Sequence, residues 1–120
     1  MKNNRTIGDW GERIGAEFLQ RQGLTIKEKN FRCKIGEIDI IAEEGGYLVF
    51  IEVKYRQNLS HGYPREAVNY YKQKTISKVA LWYMKKYNLW NRSCRFDVLE
   101  ILGKYPDVKI TLIRNAFFAS

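Results

Sequence analysis

The sequence predicts an α/β domain in which two helices cover a central sheet. An N-terminal segment repeats apolar residues at helical spacing, and two β-prone runs flank a pair of glycines. A long amphipathic segment then precedes two further β-prone runs. Helices that bury one stripe and strands that bury one or both faces pack as layers around a common core.

The first helix is expected from Thr6 to Gln22, because Ile7, Trp10, Ile14 and Phe18 recur at helical spacing and Gly23 follows as a stop signal. Gly8, Gly11 and Gly15 form an adjoining stripe, at a helix-propensity cost of roughly 1 kcal/mol each relative to alanine. That cost is repaid if the helix backbone comes close to a neighbour there. Leu24 to Arg32 reads as a strand, as do Glu37 to Glu43 and Tyr47 to Lys54, the last two joined by a hairpin turn at Gly45 and Gly46. Tyr55 to Pro64 carries the punctuation of a loop in Asn58, Ser60, Gly62 and Pro64. A second helix is expected from Arg65 to Tyr87, and strands at Arg95 to Leu102 and Val108 to Phe117 close the chain. No repeat or linker divides these 120 residues, so one domain over residues 1–120 is expected.

Composition narrows the partners. With 45% hydrophobic residues the chain can bury a core, and 21 Lys and Arg against 13 Asp and Glu leave a net charge of +8. A small domain this basic usually meets a polyanion, and nucleic acid is the expected one, with another acidic partner or mere solubility charge as the alternatives. A membrane partner is not expected, since no apolar run approaches the roughly 20 residues that span a bilayer. Cys33, Cys94 and the single His61 offer no zinc-ligand spacing. The polar start MKNNRTIGDWGE lacks a signal stretch, which makes the cytoplasm the expected compartment.

The hairpin is where chemistry enters. A two-residue turn at Gly45 and Gly46 opposes residues whose numbers sum to 91, which sets Asp39 across from Glu52 and Glu37 across from Lys54. Strand alternation then brings Glu37, Asp39, Glu52 and Lys54 out on one face, and Ile38, Ile40, Ile51 and Val53 on the other. Opposed carboxylates about 5 Å apart at Cβ destabilise a bare sheet. A hard divalent cation offsets them best, Mg²⁺ or Mn²⁺, and Lys54 beside it would orient a water or stabilise charge on a phosphate. The bland alternative is a solvated face with ion pairs such as Glu37–Lys54. Against it stand the apolar neighbours Ile40, Ile41, Val49, Phe50 and Ile51, which mark these strands as central.

On the second helix, Lys72 interrupts the apolar stripe of Val68, Ile76, Val79 and Tyr83. Its ammonium either snorkels to solvent or reaches the carboxylates or a bound phosphate. Lys74, Lys78, Lys85 and Lys86 form a solvated surface that attracts polyanions.

GEID at Gly36 to Asp39, followed by FIEVKYR at Phe50 to Arg56, resembles the Asp…Glu-X-Lys signature of the PD-(D/E)XK nuclease superfamily. The chain more specifically resembles the YraN-like bacterial family, through GDWGERIGAEFL at Gly8 to Leu19, NFRCKIGEIDII at Asn30 to Ile41, EVKYR, the pair Lys72 and Gln73, and RFDVLEI at Arg95 to Ile101. This resemblance implies a restriction-endonuclease-like α-β-β-β-α-β core with a central mixed sheet flanked by helices, and kinship with archaeal Holliday-junction resolvases. It implies Asp39 and Glu52 as metal ligands with the Val53 carbonyl, Lys54 as the catalytic lysine, and Glu12 as a further metal-linked carboxylate. Independently, close packing of the glycine stripe would carry Glu12 toward Asp39; the bland alternative is a surface glutamate near a helix N-terminus. Glu37, Lys72 and Gln73 are accessory candidates, and Arg56, Lys74 and Lys78 are candidates for binding nucleic acid. Asp97 reads as an ion-pair partner of Arg95. The superfamily's proline is absent, Ile38 standing before Asp39.

The expected activity is metal-dependent hydrolysis of phosphodiester bonds in DNA, in branched or single-stranded intermediates, with a homodimer expected if junctions are resolved symmetrically. Phe117 and Phe118 are candidates for that interface or for a core strand. The alternative is a nucleic-acid-binding module that keeps the fold and cleaves little or nothing.

Overall fold

A computed structural model describes residues 4–119, with side chains from Asp9 onward. The side chain of Ile7 and the surroundings of Gly8, both expected on the first helix, lie outside the described residues. Helix α1 (Asn4–Arg21) leads into β1 (Thr25–Arg32), β2 (Glu37–Glu44) and β3 (Tyr47–Arg56). A 3₁₀ turn (Pro64–Ala67) and α2 (Tyr70–Lys86) cross over to β4 (Cys94–Lys104) and β5 (Asp107–Phe117). The five strands lie in the sheet in chain order, antiparallel throughout except for the parallel pair β3–β4. Parallel neighbours need a long crossover, and the 3₁₀ turn with α2 supplies it.

The helices cover opposite faces. Ala16 and Leu19 of α1 pack with Ile40, Val49, Ile51 and Leu99, whereas Ile76, Val79 and Tyr83 of α2 pack with Ile41, Leu48, Phe50 and Phe96. The close approach expected of the glycine stripe occurs at Gly15, where a Cβ would fall 2.7 Å from Leu99 Cδ2. At Gly11 the corresponding distance, 3.7 Å to Ile101 Cδ1, is ordinary contact. Gly23, at φ +99°, ends α1 in a left-handed conformation that suits glycine.

Two of the boundaries that differ from expectation bear on the site. Strand β3 continues through Tyr55 and Arg56, which pair in register with Ile101 and Leu102, so the loop starts later than its polar residues suggest. The second helix does not begin at Arg65. The Asn69 side chain accepts a hydrogen bond from the Lys72 N–H at 2.9 Å, capping α2 and separating it from the 3₁₀ turn. Val68, expected on the helix stripe, is buried ahead of the cap instead.

The sheet forks where the carboxylates lie. Strands β2 and β3 pair in the expected register from Glu44↔Tyr47 to Ile40↔Ile51, and there their ladder ends. Beyond that point β2 stays paired with β1 (Phe31↔Ile38, Arg32↔Glu37), and β3 with β4 (Glu52↔Val98, Lys54↔Glu100). Opposite Asp39, Asn30 adopts φ +53°, a left-handed conformation that asparagine tolerates. Across this kink Ile38 joins the α2-side core while Ile40 stays with the α1 side. The expectation that Ile38 and Ile40 share a face is therefore corrected: a regular pleat was assumed through a position where the backbone turns over.

A candidate acidic site at the fork of the sheet

Asp39 stands at the fork on β2, partly exposed, and its Oδ2 accepts a hydrogen bond from the Val53 N–H at 2.8 Å. Its side chain thus takes the place of the missing ladder partner, so the fork is closed by a carboxylate instead of a carbonyl. Glu52, on β3, is 4% exposed and turns to the α2 side with its strand neighbours Leu48 and Phe50. Lys54 Nζ lies 3.3 Å and Lys72 Nζ 3.4 Å from the same oxygen, Glu52 Oε2. Of the two alternatives open for Lys72, reach toward the carboxylates is the one observed.

The electrostatics follow from crowding. Burial, reinforced by the negative charge of Glu52 and more weakly of Glu12, pushes the Asp39 carboxyl from 3.8 up to about 8, although the Val53 hydrogen bond pulls the other way. Glu12 reaches this neighbourhood from α1, where its Oε2 accepts from Asn30 Nδ2 at 2.9 Å. Among the described residues no group of three or more His, Cys, Asp or Glu is gathered to hold a metal ion. The fork therefore offers two carboxylates, both hard oxygen donors, at a place where negative charge is under-compensated. That set fits a cation such as Mg²⁺, which usually takes one or two protein carboxylates and keeps several waters.

Other residues singled out in the sequence go elsewhere. Glu37 does not face Lys54; its Oε2 accepts from Arg32 Nε at 2.7 Å, because the fork has already separated the strands. Gln73 donates to the Val68 carbonyl at 3.0 Å and so fastens the 3₁₀ turn to α2. Arg56 follows Lys54 on the same side of β3, and its Nε is buried with no hydrogen-bond partner among the described residues. Lys74 and Lys78 are exposed on α2, Lys74 with its Nζ 5.9 Å above the Tyr70 ring. Asp97 is fully buried and accepts from Arg95 Nε at 3.1 Å and from the Asn115 N–H at 3.0 Å, so it is the ion-pair partner of Arg95 that the sequence suggested. Phe117 is a core residue stacked on Phe96 at 5.1 Å, whereas Phe118 is exposed.

One pair near the site escaped sequence reasoning. Glu100, 4% exposed, accepts from the Arg65 N–H at 2.8 Å, from Arg65 Nε at 2.7 Å and from Nη2 at 2.8 Å. These bonds hold its carboxyl below the usual glutamate range. Since Glu100 pairs in register with Lys54, the Arg65 guanidinium is brought to the same end of β3 and β4. The available signal was a glutamate inside the apolar run FDVLEIL, which a buried strand does not carry without a partner.

Fold and site together define an α/β protein with an acidic pair and two lysines at a fork in its central sheet. Comparison with known proteins gives the family: the chain belongs to the uncharacterised protein family UPF0102, whose model matches residues 11–101. It is 45% identical over 120 residues to a UPF0102 protein of Caldicellulosiruptor saccharolyticus, covering 96% of this chain and 99% of that one. It is 48% identical over 116 residues to a UPF0102 protein of Clostridium kluyveri, with 95% of each chain covered. A relative from Clostridioides difficile is 46% identical over 115 residues, covering 96% of this chain and 99% of the relative. Among the described residues no helix is long and apolar enough to cross a membrane.

Proposed function

We propose that this protein is a metal-dependent endonuclease that hydrolyses phosphodiester bonds in DNA. The observation that carries the reading is the fork itself: Asp39 and Glu52 meet there, with Lys54 and Lys72 both on Glu52 Oε2. The resemblance of Asp39…Glu52-X-Lys54 to the PD-(D/E)XK signature, and the net charge of +8, support it from the sequence side. Asp39, Glu52 and the Val53 carbonyl would hold Mg²⁺ or Mn²⁺, with Glu12 adding negative charge from α1. When bound, the ion supplies charge neutralisation at the phosphate and a more acidic water. Lys54 orients the attacking water and offsets charge developing on the phosphate oxygens. Lys72, on the same Glu52 oxygen, would offset that charge from α2. Arg65, held on Glu100, fixes the approach of the neighbouring phosphate.

The test is cleavage of labelled single-stranded, duplex, flap and four-way-junction DNA with Mn²⁺, Mg²⁺ or chelator. Cutting should require metal, and Asp39→Asn or Lys54→Ala should lower it at least 100-fold while binding persists. Equal cutting by wild type and Lys54→Ala would reject the assignment. A second reading, a binding module that cleaves nothing, is favoured by the lack of a three-carboxylate cluster among the described residues. It predicts no cutting of any substrate, with affinity unchanged by chelator.

A further inference from the structure

Three tyrosines between the end of β3 and the first turn of α2 stay out of the core. Tyr63 is 46% exposed, Tyr70 59% and Tyr71 78%. Exposed aromatics scattered singly need no explanation, but these fall within nine residues of one another in the chain, Tyr70 meets Tyr71, and Tyr63 and Tyr70 each lie beside a cation. The Arg65 guanidinium is 5.3 Å from the Tyr63 ring centroid, and Lys74 Nζ is 5.9 Å from that of Tyr70. The Tyr70 and Tyr71 rings meet edge to face at 5.8 Å and 72°, so the edge of one ring rests on one face of the other, and both faces of the first stay clear of its partner.

Their placement is fixed from two directions. Arg65, beside Tyr63, is clamped by three hydrogen bonds to Glu100, the register partner of Lys54. Tyr71 directly precedes Lys72, whose ammonium is 3.4 Å from Glu52 Oε2. Tyr63 and Tyr71 are therefore tied, through Arg65 and Lys72, to the stretch of β3 and β4 that carries Glu52, Lys54 and Glu100. Bases stack on exposed aromatic faces while phosphates follow the adjacent positive charge, which is how single strands are held without sequence preference. A duplex keeps its base faces covered and can use only the charge.

We propose that Tyr63, Tyr70 and Tyr71 form a stacking platform for the unpaired bases of a single DNA strand, whose backbone passes Arg65 and Lys72 on its way to Lys54. This rests on the nuclease reading of the fork and narrows its substrate to DNA with an unpaired segment. The stacking faces select the strand, and the fork acts on the phosphate delivered to it.

The test is fluorescence anisotropy of a labelled oligo-dT 12-mer and a 12-base-pair duplex, in chelator so that nothing is cut. Wild type should bind the single strand more tightly. Tyr70→Ala with Tyr71→Ala should weaken that binding at least tenfold and duplex binding less than twofold. The double Phe variant, which keeps the rings, should restore it, and unchanged melting curves should accompany every variant. Trp90→Ala is the control, because Trp90 is 66% exposed beyond the far end of α2, roughly 25 Å away along the helix. Wild-type affinity in the Ala variant, or equal losses on both DNAs, would overturn the platform. Since binding is read without metal, an inactive fork would show only in the cleavage assay, so the two readings can fail separately.

Discussion

Burial and the neighbouring charges of Glu52 and Glu12 keep a proton on Asp39 up to about pH 8, far above the 3.8 expected of a free aspartate. The folded state therefore binds a proton that the unfolded chain gives up near pH 4. For a group whose folded pKa is raised, stability is fully present below the unfolded value and is lost as pH rises through the folded one. In chelator, the melting temperature should fall as pH is raised from about 4 to about 8. Under the proposed function, millimolar Mg²⁺ or Mn²⁺ takes the proton's place, and should restore the melting temperature at pH 8.5 while doing little at pH 5. Asp39→Asn has no proton to lose, so it should flatten the slope and abolish the ion's effect. A slope unchanged in that variant would assign the pH dependence to other groups. Glu44 works in the opposite sense, because hydrogen bonds from Arg114 and Arg95 hold its carboxyl down to about 2. Its contribution is lost as pH falls from about 4.5 through about 2, at the acid end of the range in which Asp39 acts.

The elements differ in how firmly single positions are constrained. Gly103 sits at φ +135°, and a Cβ there would fall 2.5 Å from the Asp107 carbonyl oxygen, a backbone atom that cannot step aside. Gly103→Ala should cost about 3 kcal/mol in chemical denaturation, combining backbone strain with a clash at the β4–β5 turn. Gly11→Ala meets only ordinary contact and gains helix propensity, so it should stabilise by up to about 1 kcal/mol. A loss of stability in Gly11→Ala would mean that α1 packs closer than its 3.7 Å contact indicates. The same contrast explains what the sequence could and could not disclose. Helical and strand periods report which residues are apolar, and they found the elements and the register of the β2–β3 hairpin. They do not report where a ladder stops. The fork depends on the left-handed Asn30 and on Asp39 bonding the Val53 N–H, both local events against a regular pleat. The Asn69 cap and the Arg65–Glu100 clamp were hidden for a related reason: each depends on where a side chain points in three dimensions.

At the scale of the whole molecule, under the proposed function a net charge of +8 would draw DNA in first by its phosphates. Several of the cations around the fork already have carboxylate partners, so only part of their charge is available. The logarithm of single-strand affinity against that of salt should therefore fall with a slope of about −2 to −3, and a flat dependence would remove nucleic acid as the partner. The architecture also brings the two lysines to Glu52 by different routes, Lys54 along β3 itself and Lys72 from α2. Asp39 and Glu52 lie on one local hairpin, whereas Lys72 arrives with the crossover that β3 and β4 require. Hairpins close within microseconds, and parallel pairing across a long connection waits on a larger loss of chain entropy. In kinetic terms Lys54 should gather with the carboxylates as the hairpin forms and Lys72 should dock later with the crossover, so the second cation is the slower one to reach Glu52.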